Sequence, residues 1–557
     1  MIPRKILVLT LALTGIVTAG AKNYYISPNG NDLNAGSVDK PFRTLAPAQK
    51  LVQPGDFVYF REGTYKPQTS ESMGTQASIY SCVYLLDKSG SPDKPITYAA
   101  YPGEKPVFDL SEYKPQGMRV SVFYVSGNWL HLKNLEVIGT QVTIADGSNT
   151  QSEVFSNRGG NNNIYENLKI HDGMAIGFYL VKGGNNLVLN CDAWNNYDEP
   201  NGGGNTDGFG MHPSEGDTGN VLRGCRAWWN SDDGFDFIHS AEAVRIENCW
   251  AFYNGYKPGE FKSAGDGNGI KAGGYGMNPD SKIAAVIPTH EVINCLAFYN
   301  KTGGIYSNHH LGGLDFINNT AIHNRWNYNM PNRKSAEENV DVDGYGHFLA
   351  NNVAYNGREA DLYQVDFEKS IFINNTFGPS ATELTDTDFL SLDADELMAE
   401  RNSDGSLPLI NFGKLSPASL VYGTGIGYEN HAPTKRELLG LTEEPETPEE
   451  PSEEPEEEDP EVIATQWIMA PYIMVEDNSV WVEGEGAENL NGIYVNDTKM
   501  KVSKGKSDIS SIEDSEITIR ATLSNGVVML KKIFKTDAPV PDDEDDDDII
   551  KDIWGFD

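Results

Sequence analysis

The sequence predicts an all-β protein, a right-handed parallel β-helix followed by a small C-terminal β-sandwich-like module. Three observations carry that reading. Four segments share one short pattern: Thr206-Asp207-Gly208-Phe209-Gly210, Asp232-Asp233-Gly234-Phe235-Asp236, Gly267-Asn268-Gly269-Ile270-Lys271 and Thr302-Gly303-Gly304-Ile305-Tyr306. Their glycines Gly208, Gly234, Gly269 and Gly304 fall in register, each followed by an apolar residue. A second pattern puts Cys191, Cys225, Cys249 and Cys295, then Asn319 and Asn352, in one slot, at spacings mostly between 23 and 34 residues. Asn196, Asn230, Asn254, Asn300 and Asn324 stand five residues beyond that slot. Repeats of this period with one strand per repeat mark a solenoid. Asparagine suits its bends because it tolerates left-handed backbone angles and its amide can bond along the stack.

In chain order, Met1-Ile2-Pro3-Arg4-Lys5, the apolar stretch Ile6 to Val17 and the small residues Ala19-Gly20-Ala21 read as a signal peptide over 1–21. Export to an extracellular, periplasmic or cell-surface location follows. The apolar run is too short to span a bilayer, and no later segment is a membrane candidate. The β-helix is expected over 22–435. It opens with a cap: strand-like Tyr24-Tyr25-Ile26, an amphipathic helix from Leu45 to Val52 that plugs the open core, and strand-like Phe57-Val58-Tyr59-Phe60. Such a cap covers the exposed core and unpaired edge that end a solenoid. Residues 436–461 form an acidic Glu/Pro linker, 462–536 a small all-β module of short runs such as Ser479-Val480-Trp481-Val482, and 537–557 an acidic tail.

The formal charge of -38 is unevenly spread. Residues 443–461 hold twelve acids and no base, and Asp542 to Asp548 adds seven, so two solvated tracts supply half of it. This excludes a nucleic-acid binder, since phosphate contacts want Lys and Arg. The chain is expected to act as a monomer. The four in-register cysteines predict an inward ladder of reduced thiols, packed as small apolar residues.

Strand alternation then builds a site. The residue after each pattern glycine points inward and the next one outward. Gly210, Asp236, Lys271 and Tyr306 therefore form an outward column, with Asp207, Asp232 and Asp233 at the turn before it. Carboxylates this close, about 4.8 Å from coil to coil, repel unless a cation neutralises them. An all-oxygen cluster of Asp207, Asp232, Asp233 and Asp236 suits Ca²⁺. Lys271, one coil from that cation, is expected to have its pKa lowered and to serve as a base. A base beside a calcium that holds a uronate carboxylate performs β-elimination: the metal acidifies the proton on the adjacent carbon and lysine removes it.

These motifs resemble polysaccharide lyase family 9, the pectate and rhamnogalacturonan lyases, over roughly residues 22 to 435. The resemblance implies a right-handed parallel β-helix, calcium on Asp207, Asp232, Asp233 and Asp236, Lys271 as Brønsted base and a galacturonate-containing pectic polysaccharide as substrate. It does not decide between homogalacturonan and rhamnogalacturonan I, nor between endo and exo action. Two rivals share the fold. A polygalacturonase of glycoside hydrolase family 28 would use Asn205-Thr206-Asp207 and Asp232-Asp233, but its Gly-His-Gly and Arg-Ile-Lys motifs are replaced here by Asn308-His309-His310 and Gly269-Ile270-Lys271. A non-catalytic glycan-binding adhesin would be indifferent to Lys271. Tyr306, Asn308, His309 and Arg325 are candidate substrate contacts, and Arg333 a further cation. His212 and His239 read as orienting or surface residues, and Trp228, Trp229 and Trp250 as packing.

Overall fold

The computed structural model describes residues 21–144, 151–275, 283–428 and 432–439, with short segments between 472 and 534. Most of the expected signal peptide and linker, and the acidic tail, lie outside the described residues. The chain divides into two units, residues 1–416 with 426–443 and residues 417–425 with 444–557.

The first unit is a three-sided parallel β-helix. Its sheets have twelve, ten and eleven strands, and each coil contributes one short strand to each in turn. All neighbouring pairs are parallel except the hairpin of Gly74–Gln76 with Tyr80–Leu86 at the start of the third sheet. Alternation buries one residue in two, so like stacks on like inside: Phe155 on Phe123 at 4.8 Å and Phe235 on Phe209 at 5.1 Å. The opening cap takes the expected form. The helix Leu45–Leu51 buries Leu45 and Ala48 and packs against the strands Asn23–Ile26 and Tyr80–Leu86.

Three polar ladders hold the corners. Cys191, Cys225, Cys249 and Cys295 are buried free thiols, continued by Asn319, Asn352 and Asn375, whose amides bond rung to rung. The second ladder runs from Asn196 through Asn230, Asn254 and Asn300 to Asn324, with side-chain bonds of 2.9–3.2 Å. The left-handed angle expected of these asparagines belongs instead to the residue before each: Asn195, Trp229, Tyr253, Tyr299 and His323. The ladder residue must turn its amide inward to meet its neighbours, and the preceding residue makes the bend. A third ladder escaped the sequence reading because its members differ. Asn163, Asn186 and Asn220 accept the N–H of the preceding coil, and His290 and His347 do the same through Nδ1.

Burial holds these imidazoles neutral: His347 is pushed down to about 3, the separately placed His310 to about 4, and His290 well below its ordinary 6.5. A depressed histidine stabilises the fold fully above the unfolded pKa and loses that contribution as pH falls. Melting temperature is therefore expected to drop from pH 6.5 toward 5, each histidine contributing on the order of 1 kcal/mol or more. His347→Asn, which keeps a side-chain acceptor in a slot asparagine fills elsewhere, should flatten the slope of Tm against pH. An unchanged slope would refute this account.

The second sheet carries an outward aromatic row. His171, Trp194, Trp228, Phe252 and Phe298 stand in register, Trp228 lying 4.8 Å from Trp194 and almost parallel to it. After the last coil the chain returns along this face as an irregular strap, residues 381–416. Phe389 packs on Tyr355 and Phe412 on Phe298. Arg401 Nη2 reaches Asp192 Oδ1 at 2.7 Å, beside the buried Arg226–Asp192 pair at 2.9 Å. Beyond the strap, the short helix Lys435–Leu438 sets Lys435 against Asp315.

The second unit has two four-stranded antiparallel sheets. One holds Tyr472–Glu476, Ser479–Glu483, Lys506–Asp508 and Val502–Ser503, the other Thr498–Lys499, Leu490–Val495, Glu516–Leu523 and Val528–Phe534. Val480 of the first and Ile493 and Val495 of the second are buried, as in a small sandwich.

Candidate active site

The site grows from the glycine stack. A Cβ on Gly234 would lie 2.8 Å from Asn254 Nδ2, and one on Gly269 2.7 Å from Asn300 Nδ2. The second asparagine ladder fills the space a side chain would need, so the turn into the third sheet is glycine on the four coils that carry Gly208, Gly234, Gly269 and Gly304. That fixes the register: Gly210 pairs with Asp236, Asp236 with Lys271 and Lys271 with Tyr306.

At the preceding turn, oxygens of Asp207, Asp232 and Asp233 lie within 4.8 Å of one another. Backbone and amide donors hold one oxygen of each. Asp207 Oδ1 accepts from the Asp233 N–H at 3.1 Å and Asp232 Oδ1 from the Asp266 N–H at 2.6 Å. Asp233 Oδ1 accepts from both the N–H and the Nδ2 of Asn268, at 2.6 and 2.9 Å. Asp233 is fully buried, and its Oδ2 meets no hydrogen-bond donor among the described residues. Lys271 Nζ lies 3.0 Å from that oxygen at an ion-pair distance, and donates to Asp236 Oδ2 at 3.1 Å. Asp236 thus stands with the lysine rather than within the trio.

Charge is unbalanced here: four buried carboxylates face one ammonium. Burial, then Asp232 and the other aspartates, pushes Asp207 well above the carboxylate range; burial, then Asp233, does the same to Asp232. Asp233 is raised by burial and Asp236, against the pull of Lys271. Burial alone would lower Lys271, but Asp233, Asp236, Asp207 and Asp232 outweigh it and hold the ammonium well above its ordinary value. This is opposite to the lowering expected beside a cation, because with the carboxylates alone the lysine is their counter-ion among the described residues. A hard divalent cation fits the donor set: all oxygen, buried, one oxygen held by an ion-pair contact rather than a hydrogen bond, and charge to spare.

The remaining candidates separate clearly. Tyr306 O–H lies 2.6 Å from His309 Nε2, His309 Nδ1 is 2.7 Å from Asp341, and Arg333 is 2.8 Å from the same carboxylate oxygen. Asn308 turns inward, donating to the Gly273 carbonyl at 2.8 Å, and is structural. Arg325 pairs with Glu359 at 2.8 Å and covers Trp326 at 4.1 Å. His212 donates from Nδ1 to the Ile238 carbonyl at 2.6 Å beside the Tyr179 ring. Trp250 is buried, and Trp228 belongs to the aromatic row. Asn268 and Asp266 were missed as supporting residues. Asn268 sits within the catalytic repeat, and its place one residue before the glycine was the available signal.

Comparison with known proteins adds the context. The family described as "Pel9A-like, right handed beta helix region" matches residues 24–355, and one described as "Rhamnogalacturonan lyase-like, C-terminal" matches 366–443. Pectate lyase L of Dickeya dadantii (strain 3937) is 32% identical over 420 residues, covering 74% of this chain and 88% of that protein. Among solved structures, a rhamnogalacturonan lyase is 50% identical with a TM-score of 0.70, covering 73% of this chain and 100% of the other. Pectate lyase Pel9A is 31% identical with a TM-score of 0.57, covering 73% and 92%.

Proposed function

This chain belongs to the Pel9A-like right-handed β-helix family and is a pectin-cleaving polysaccharide lyase, and from that premise we propose its particulars: the rhamnogalacturonan I backbone as substrate, calcium as cofactor and Lys271 as base. The observation that carries the reading is Lys271 Nζ 3.0 Å from the buried Asp233 Oδ2, in a carboxylate trio whose oxygens lie within 4.8 Å of one another. Asp207, Asp232, Asp233 and Asp236 would hold the ion, the last while steadying the lysine. Calcium, when bound, withdraws electrons from a uronate carboxylate and acidifies the proton on the adjacent carbon. The two positive charges of the ion would offset two of the four carboxylate charges and so weaken the field that keeps Lys271 protonated, which favours the free amine. Lys271 then takes that proton, the C–H electron pair becomes a carbon–carbon double bond, and the neighbouring carbon–oxygen bond breaks. The departing glycosidic oxygen takes a proton from solvent, and no nucleophilic water is needed.

Rhamnogalacturonan I is favoured over homogalacturonan by the match at 366–443 and by identity of 50% to a rhamnogalacturonan lyase against 31% to a pectate lyase. Export is supported by the apolar run Ile6–Val17 followed by Ala19-Gly20-Ala21; no described helix is long and apolar enough to cross a membrane. The test is absorbance at about 235 nm, where an unsaturated uronide absorbs. With calcium, the rise on rhamnogalacturonan I should exceed that on polygalacturonate at least about tenfold, roughly the value of one well-made pocket contact. New reducing ends without absorbance would overturn elimination, and a rise on polygalacturonate alone would overturn the substrate.

A further inference from the structure

The outward column of the third sheet continues past Lys271 through Tyr306 and Asn329 to Tyr363. In the other direction it passes Asp236 and Gly210 to Tyr179. The two flanks differ in charge. On the Tyr179 side Arg158 lies 5.3 Å from the Tyr179 ring and 4.6 Å from that of Tyr80, which also accepts a hydrogen bond from Arg119 at 2.9 Å. Glu153 is the acid facing this pair. On the Tyr363 side the floor is aromatic, and the Arg325 guanidinium over Trp326 is spent on Glu359. Tyr363, 41% exposed, stacks on Trp326 at 4.9 Å and 12°. Beside it a pocket rim carries Asp341, Asp343 and Asp366 against Lys334 and Lys369. These lysines and the neighbouring Arg333 are engaged, Lys369 with Asp366, Lys334 with Glu338 and Arg333 with Asp341, which leaves the acids in excess by one.

A uronate entering the Tyr363 flank would meet surplus acid, whereas a neutral ring meets an aromatic face and a prepared hydroxyl. The hydroxyl is Tyr306. His309 Nδ1–H points at Asp341, so Nε2 is the bare nitrogen and takes the Tyr306 O–H. The lone pairs of the phenol oxygen are left for a sugar hydroxyl. Resting on the rhamnogalacturonan reading above, we propose that Tyr363, backed by Trp326, together with Tyr306 forms a subsite for a neutral 6-deoxyhexose. The sugar's C–H and methyl face lies on the tyrosine ring, and the subsite sets the polymer's register against Lys271, about 14 Å away by strand spacing.

The test uses full-length protein carrying Lys271→Ala, so that ligands bind uncut, titrated calorimetrically with rhamnogalacturonan I oligosaccharides and with oligogalacturonates. Tyr363→Ala should weaken the first at least about tenfold and leave the second within twofold; Tyr363→Phe, which keeps the ring, should bind both as the Lys271→Ala parent does. Equal losses on both ligands, or no loss on the first, would overturn the subsite. In parallel, wild-type cleavage is read on both polymers. Selective binding without cleavage of rhamnogalacturonan I would sink the substrate reading and uphold the subsite.

Discussion

Lys271→Ala is expected to lower turnover on the pectic substrate by about a thousandfold or more, the contribution of a well-placed general base. KM should move much less, since the lysine's task is proton removal. Lys271→Arg should be nearly as inactive, because a guanidinium does not give up its proton in a protein. The readout is the initial rate at about 235 nm, with calorimetric binding as control. Retained turnover in Lys271→Ala would mean that another group is the base. A stability signature accompanies the kinetic one. Lys271 sits 3.0 Å from Asp233 Oδ2 and 3.1 Å from Asp236 Oδ2, so its removal leaves four buried carboxylates without a counter-ion. The variant should melt lower than wild type in EGTA and recover much of the difference in calcium.

Removing calcium with EGTA should abolish activity, and restoring it should bring activity back. A ligand that binds only the folded state stabilises it by about 2.7 kcal/mol at a hundred times its Kd, so melting temperature should climb with free calcium. Asp233→Asn should blunt both effects, because it neutralises the fully buried member of the trio. Acid acts against the cation. Asp207, Asp232 and Asp233 hold their protons above the ordinary carboxylate range, so proton and ion compete for the same oxygens as pH falls. The calcium needed for half-maximal rate should rise as pH is lowered from neutrality. Undiminished activity in EGTA with no calcium detected by elemental analysis would refute a metal role.

The column Gly210–Asp236–Lys271–Tyr306 was legible because side-chain alternation and repeat register are local rules that a solenoid applies again on every coil. The cysteine ladder and opening cap were legible for the same reason. Features that break period were not. The third corner ladder changes residue type from asparagine to histidine, so nothing repeats in the letters although the hydrogen bond does. Arg401 meets Asp192 across 209 residues of chain, a pairing no spacing reveals. Asn308 carries a site-like neighbourhood in the sequence, yet its amide is spent on the Gly273 carbonyl. The direction of the Lys271 shift depends on a balance between burial and four charges, and so on distances that only a structure supplies.

The strap over the second sheet changes how this solenoid comes apart. A stack of coils held only by nearest neighbours frays from its ends, one rung after another. Here Arg401 grips Asp192 and the carbonyls of Cys191 and Gly224, while Phe412 leans on Phe298, so the tail that follows the last coil is fastened to the middle. The C-terminal coils cannot peel away without breaking that buried contact, although Asp192 keeps Arg226 as its partner when Arg401 leaves. Unzipping from that end is thereby coupled to the coils at the middle of the stack. A protease that severed the strap would undo this fastening, and the stack would fray again from its last coil back toward the coils that carry Asp207 and Asp233.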